Sequence, residues 1–136
     1  AEAKLSPELR NEALYYRAKA YTKQKADKKA MEDYRELAKD TRNPYGAEAK
    51  YQVAQSLYDA KEYAAAEKEL LNYIEQSTPH AYWLARSFVL LSDVYHATGK
   101  DLDARQYLLS LQQNYQGNDD IESMIESRLS KLKVEN

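Results

Sequence analysis

The sequence predicts an all-α fold in which three similar helical hairpins stack in order and one amphipathic helix closes the C-terminal end, about seven helices in total. Three observations favour this fold. Side chains recur in one register, helix-start signals stand at regular places, and the 136 residues include only three glycines and three prolines. An all-β chain of this length would need many more turn residues.

The strongest of these observations is an internal repeat. Pairs of small residues lie 12 positions apart, and successive pairs begin 36 and then 38 positions apart: Ala18 with Ala30, Ala54 with Ala66, and Ser92 with Ala104. Bulky residues follow the same register in three series: Tyr21, Leu57 and Tyr95; Tyr34, Leu70 and Leu108; and Leu37, Tyr73 and Leu111. Such a period is typical of stacked hairpins, whose small residues let paired helices approach to about 8–10 Å.

Capping residues, prolines and glycines place the helix ends. Ser6-Pro7, Asn43-Pro44 and Thr78-Pro79 each set a capping residue before a proline suited to the first helical position. First helices are therefore expected near 7–24, 44–60 and 79–98, and second helices near 27–41, 62–76 and 101–115. Gly99 and Gly117 are expected to end helices, and Asn118 to cap a last helix near 119–133. The chain is then one domain (1–136), with units of about 7–42, 43–77 and 78–116 and a capping helix at 118–134.

The terminal helices differ in their apolar stripes. The last helix has one stripe, made of Ile121, Met124, Ile125, Leu129 and Leu132. The first helix has two, of which Leu14, Ala18 and Tyr21 suit the hairpin partner. The second stripe is made of Leu9, Ala13, Tyr16 and Ala20. We expect this second stripe to meet upstream repeats of a longer chain or to mediate self-association.

Composition and motifs favour no catalytic centre. The net charge is −2, with 11 basic and 8 acidic residues over 1–43 against 9 and 14 over 44–136, so nucleic acid is not favoured. The sequence contains no cysteine, no phosphate-cradling glycine loop and no apolar run of the ~18 residues needed for a membrane span. His80 and His96 show no metal-binding spacing. We therefore expect no enzyme, no cofactor, no metal and no membrane span.

The residues of the repeat resemble the tetratricopeptide repeat family over about 11–116. The likeness rests on the small-residue pairs, on the large residue four positions after each second small one, and on Tyr63-Ala64-Ala65-Ala66. The sequence departs from the family at its tryptophan position (Leu14, Lys50 and Phe88) and its glycine position (Ala18, Ala54 and Ser92). The resemblance implies a right-handed superhelix. The slightly long units are similar to those of bacterial cell-envelope members, which implies a periplasmic or envelope location if a signal sequence was removed.

The resemblance also implies a concave groove lined by the first helices. Its candidate peptide- or partner-binding residues are Tyr15, Lys19, Lys23, Glu48, Tyr51, Gln55, Tyr58, Arg86, Asp93 and His96, and the same register adds Glu12, Thr22 and Val89. Tyrosine suits such a surface because it buries area while it keeps a polar tip. A solvated polar face is the alternative interpretation. The family's clamp for a C-terminal carboxylate is not expected, because its positions hold Tyr15, Lys19, Gln52, Arg86 and Leu90.

Two functions follow from these expectations. The first is a protein–protein interaction scaffold that holds a peptide or partner protein in the groove. The alternative is a structural terminal segment or oligomerisation module of a longer repeat array. Neither interpretation identifies the partner.

Overall fold

A computed structural model describes residues 6–76 and 79–132. Within these ranges the chain forms seven α-helices and no strand, which confirms the all-α prediction. The helices are α1 (Pro7–Lys23), α2 (Asp27–Leu37), α3 (Pro44–Asp59), α4 (Tyr63–Glu75), α5 (Ala81–Ala97), α6 (Asp101–Asn114) and α7 (Ile121–Leu129).

Two of the three predicted helix starts are confirmed. The Ser6 hydroxyl accepts a hydrogen bond from Leu9 N at 3.2 Å, and the Asn43 side chain accepts one from Tyr45 N at 2.8 Å, with a proline at the next position in both cases. The predicted start of α5 at Pro79 is wrong, because α5 begins at Ala81 after the N-cap residue His80. Thr78, the expected cap, lies outside the described residues.

The turns inside the three hairpins share one geometry. Lys25, Lys61 and Gly99 have φ of 59°, 61° and 79°, and they follow one another at the same steps as the small-residue pairs. In each turn the next backbone N–H bonds back to the carbonyl five residues earlier, at 2.7–2.9 Å: Ala26 to Tyr21, Glu62 to Leu57 and Lys100 to Tyr95. This is a Schellman cap, which satisfies carbonyls at the end of a helix.

Replacing Lys61 with glycine is expected to raise the free energy of unfolding by about 0.5–1 kcal/mol, because a left-handed backbone is strained for a residue with a Cβ atom. Urea denaturation followed by circular dichroism would measure the change. Lys68→Gly, inside α4, is the control and is expected to cost about 1 kcal/mol. A loss of stability in Lys61→Gly would contradict the left-handed conformation.

The helices lie in two layers. Each helix contacts its neighbours in the chain, and α1 also contacts α3, α3 contacts α5, and α5 contacts α7. Within the described residues the backbones of α2 and α4, and of α4 and α6, do not approach one another, and α2 is connected to α4 by a long ion pair from Arg35 to Glu69 at 4.0 Å. The odd-numbered helices therefore form one continuous layer, while the even-numbered helices are spaced apart. The right-handed superhelical twist stays a prediction.

The recurring residues form the core, as the repeat predicted. The six small residues are at most 4% exposed, and Ser92 satisfies its hydroxyl by donating to the Val89 carbonyl at 2.6 Å. Six of the bulky recurring residues on the second helices are also buried: Tyr34, Leu37, Leu70, Tyr73, Leu108 and Leu111. Burying such side chains contributes roughly 1.5–3 kcal/mol each, which explains why the register is kept.

The C-terminal helix differs from its predicted bounds. It begins at Ile121, whose N–H is capped by the Asp119 carboxylate at 3.0 Å, so the prediction of Asn118 as its cap is wrong. Gly117 does not end α6 either, because α6 stops at Asn114 and Gly117 has no positive φ. The apolar stripe is confirmed, since Ile121 and Ile125 are buried against α5 and α6.

Candidate functional site: the odd-helix face

Most of the predicted groove residues lie where consecutive odd-numbered helices meet. We call this surface the odd-helix face and define it by Tyr15, Lys19, Glu48, Tyr51, Gln55, Tyr58, Arg86, Asp93 and His96. Three polar clusters cross it, one at each junction from α1 to α7.

The first cluster joins α1 to α3. Glu48 is buried, and its carboxylate accepts hydrogen bonds from Tyr15 Oη at 2.9 Å and from Lys19 Nζ at 2.6 Å. Burial disfavours the charge on Lys19, but Glu48 outweighs it and raises the pKa of Lys19. Burial and the same carboxylate raise the pKa of Tyr15. Through this one buried carboxylate the cluster links α1 to α3.

The second cluster joins α3 to α5 and is aromatic. The Arg86 guanidinium lies 4.8 Å from the centre of the Tyr51 ring and donates to Tyr51 Oη at 2.9 Å and to Tyr82 Oη at 3.0 Å. Trp83 packs beside Tyr51, with ring centres 5.6 Å apart. Tyr51 is only 6% exposed, and burial raises its pKa despite the nearby arginine. Tyr51 therefore supports Arg86 from beneath rather than offering a surface of its own.

A directed chain of hydrogen bonds continues from this cluster along α3. Tyr51 Oη donates to Gln55 Oε1 at 2.8 Å, and Gln55 Nε2 donates to Asp59 Oδ1 at 2.9 Å. Because Arg86, Tyr51 and Gln55 each donate to the next group in the same direction, each bond polarises the next. The chain fixes the orientation of the Gln55 amide and leaves Asp59 as its final acceptor.

The third cluster joins α5 to α7. Arg128 forms a bidentate pair with Asp93, at 2.9 Å from Nε and 3.2 Å from Nη2. Burial raises the pKa of Asp93 above its ordinary value, although Arg128 acts in the opposite direction. His96 Nδ1 lies 2.8 Å from Asp101 Oδ1. Since an ionised carboxylate only accepts hydrogen bonds, the imidazole is the donor.

Two recesses open between these helices. The first-hairpin recess has a volume of about 390 Å³ and lies between α1, α2 and α3; its lining includes Thr22, Asp27, Tyr34, Gln55 and Asp59. The C-terminal recess has a volume of about 280 Å³ and is lined by Tyr58, Ser92, Asp93, His96, Arg128, Lys131 and Leu132. Side chains from three helices thus surround each recess.

The structure does not use every predicted residue in the same way. Lys23 is exposed in the last turn of α1, and no described contact joins it to the three clusters. Val89 was predicted for this face, but that prediction is wrong, because Val89 is buried with Leu108 and Ile125.

Arg128 was missed by the sequence analysis. Continuing the 38-residue step places Arg128 at the position of Leu90 and Ile125 at that of Ser87, but the residue types do not recur, so the repeat gave no signal for Arg128. Helix α7 nevertheless stands in the register of a fourth first helix, and its polar residues complete the odd-helix face.

The second stripe of α1 is uncovered in the structure. Leu9 and Tyr16 are 53% and 59% exposed, and Ala13 and Ala20 are exposed with them. At the equivalent positions of the next two units, Ala49 and Ser87 are fully buried against the preceding second helices.

Metal-binding and membrane-spanning features are absent from the described part of the chain. Within residues 6–76 and 79–132, no group of three or more histidine, cysteine, aspartate or glutamate side chains is placed to hold a metal ion. In those same ranges no helix has both the length and the apolar character that a bilayer crossing requires.

No family model matches the chain, and no curated protein matches it. Fold and site together define an all-α protein of repeated helical hairpins, with a polar and aromatic face shared by its odd-numbered helices.

Proposed function

We propose that this chain is a tetratricopeptide-like scaffold that binds an extended peptide, or a peptide-like segment of a partner protein, along the odd-helix face. The observation that carries the proposal is the two-layer arrangement. Because the odd-numbered helices pack on one another while the backbones of the even-numbered helices stay apart, the odd-helix face is continuous across the stack. Because the odd-numbered helices lie closer together than the even-numbered ones, the stack curves toward the odd-numbered layer and is concave on that side.

The chemistry of the face supports a peptide ligand. Tyrosine and arginine, the residue types that dominate protein interfaces, recur along it at Tyr15, Tyr58 and Arg86. Its polar clusters are fixed by hydrogen bonds between helices, so little side-chain freedom is lost when a ligand binds. The two recesses offer pockets for ligand side chains on either side of α3.

Selection from a library of short random peptides would test the proposal. We expect the selected peptides to bind the wild type and to lose about tenfold in affinity to Tyr58→Ala/His96→Ala, which removes two walls of the C-terminal recess. Gln106→Ala/Gln113→Ala is the matched control, because both glutamines lie on α6 and line neither recess. Calorimetry would measure the affinities.

Tyr58 also packs against the core, so His96→Ala alone serves as a second variant that leaves the core intact. If the wild type, Tyr58→Ala/His96→Ala and His96→Ala bind the peptides with equal affinity, the odd-helix face is not the peptide-binding surface. Failure to select any peptide would overturn the scaffold proposal itself.

A second candidate function rests on the uncovered stripe of α1. Where the same register positions recur in α3 and α5, a preceding second helix covers them. We propose as the alternative that this stripe joins the chain to further repeat units or to a second copy, so that it acts as a terminal or oligomerisation module. The described outer surface of α7 is polar, with Glu122, Ser123 and Glu126 exposed.

Sedimentation equilibrium tests the self-association form of this alternative. We expect concentration-dependent dimers of the wild type and a monomer for Leu9→Glu/Tyr16→Glu, since charges on the stripe oppose its burial. Leu102→Glu, which is 60% exposed on α6, is the control and should behave as the wild type. A wild type that stays monomeric at all concentrations rules out self-association.

A further inference from the structure

We propose that the first-hairpin recess is a specificity subsite that receives a lysine or arginine side chain of the bound peptide. The inference rests on the proposed peptide-binding function and names one feature of the ligand. Three independent observations carry it, all made on the described residues. The recess lacks a donor that the third hairpin supplies for itself, it is lined by a largely buried tyrosine whose hydroxyl forms no hydrogen bond with those residues, and its charged lining is acidic only.

Comparison of the hairpins shows the missing donor. Asp27 begins α2 and Asp101 begins α6 in the same register. In the third hairpin His96, in the last turn of α5, donates its Nδ1–H to Asp101 across 2.8 Å. In the first hairpin the position of His96 is occupied by Thr22, whose hydroxyl donates instead to the Ala18 carbonyl at 2.9 Å. Within the described residues no side chain pairs with the Asp27 carboxylate.

Tyr34 gives the second observation. It stands where the other two hairpins have Leu70 and Leu108, and only 6% of its surface is exposed. No described residue forms a hydrogen bond with its hydroxyl. Tyr34 lines the recess beside Met31. A ligand ammonium or guanidinium would give this hydroxyl a donor, while the apolar stem of the ligand packs on Met31.

The charges around the recess favour a cation over an anion. The described lining contains two carboxylates, Asp27 and Asp59, and no basic side chain. Asp59 lies at the C-terminal end of α3, where the helix dipole disfavours a negative charge, and no basic residue stands in that last turn. Among the described residues its hydrogen-bond donor is the Gln55 amide, which binds Oδ1 and leaves Oδ2 available. The lysines of the neighbouring turn, such as Lys25 and Lys28, are exposed and do not line the recess.

Synthetic peptides taken from the random selection provide the test. We expect lysine or arginine to be enriched at one position, and replacement of that residue with norleucine to weaken binding to the wild type about tenfold. With Asp27→Asn/Asp59→Asn the same replacement should have no effect. The control is Asp103→Asn/Glu122→Gln, which removes the same charge from the first turns of α6 and α7 and should retain the tenfold preference.

The outcomes separate the two proposals. Peptides that bind the odd-helix face without a basic preference overturn the subsite and leave the scaffold function standing. A basic preference that survives Asp27→Asn/Asp59→Asn also overturns it, because the cation then sits elsewhere. If no peptide is selected, the scaffold function fails and the subsite fails with it.

Discussion

Replacing Gly46 with alanine is expected to lower the free energy of unfolding by about 3 kcal/mol, at the upper end of the usual cost of overpacking. Gly46 is buried in the first turn of α3, where the chain crosses from the end of α2. A Cβ atom there would overlap the backbone carbonyl oxygen of Asp40 and lie 2.7 Å from that of Leu37. Backbone atoms cannot rotate away, so α2 and α3 would have to separate.

Urea denaturation monitored by circular dichroism would measure this loss. Alanine has a higher helix propensity than glycine by about 1 kcal/mol, so a clash that the chain easily absorbed would appear as a gain in stability. Gly99→Ala is the comparison, because a Cβ atom at Gly99 meets nothing within 4 Å and adds only the strain of its positive φ, about 1–2 kcal/mol. A cost at Gly46 no greater than that at Gly99 would contradict the close approach of α2 and α3.

Gly46 also shows what the sequence analysis could and could not foresee. The small and bulky recurring residues predicted the hairpins because repetition at three places separates a packing signal from chance, and Ala54, Ala66 and Leu70 are buried accordingly. A glycine that occurs once carries no such signal. Its role depends on how near two backbones pass, which is set by the connection between units and not by the residue type.

The turns give a second contrast. Gly99 was foreseen as a helix end, since glycine adopts a positive φ without strain. Lys25 and Lys61 adopt the same conformation, yet lysine gives no sequence signal for it. The predicted start of α5 was wrong for a related reason. A proline is permitted both at the first position of a helix and just before it, so Pro79 does not fix the helix start by itself. Helix α5 begins two residues later, at Ala81.

On the odd-helix face, the register identified residues but not their partners. Lys19 and Glu48 were both predicted as ligand contacts, and the structure joins them to each other at 2.6 Å. Likewise Asp93 was predicted, but its pairing with Arg128 depends on α7 occupying the place of a fourth first helix. Such pairings arise between side chains 29 and 35 residues apart in sequence, where register alone does not fix which side chains meet.

Leu70→Ala is expected to lower the free energy of unfolding by about 3 kcal/mol, within the range of 2–5 kcal/mol for buried leucines. Leu70 is 1% exposed on α4, in a core cluster that it shares with Ala54 of α3 and Leu91 of α5. Because α4 contacts both α3 and α5, the cavity left by alanine would lie where the second and third hairpins meet. Denaturant titration of the variant against the wild type would give the difference.

Leu102→Ala makes the same chemical change at a position that is 60% exposed on α6, and it is expected to alter stability by less than about 0.5 kcal/mol. Leucine and alanine have similar helix propensities, so this term nearly cancels between the two variants. The difference between their unfolding free energies therefore measures the effect of burial. Equal effects would mean that the register does not mark the core. A large loss of unfolding free energy in Leu70→Ala alone would show that the repeat spacing marks the residues through which one hairpin packs on the next. The continuity of the odd-helix face depends on that packing.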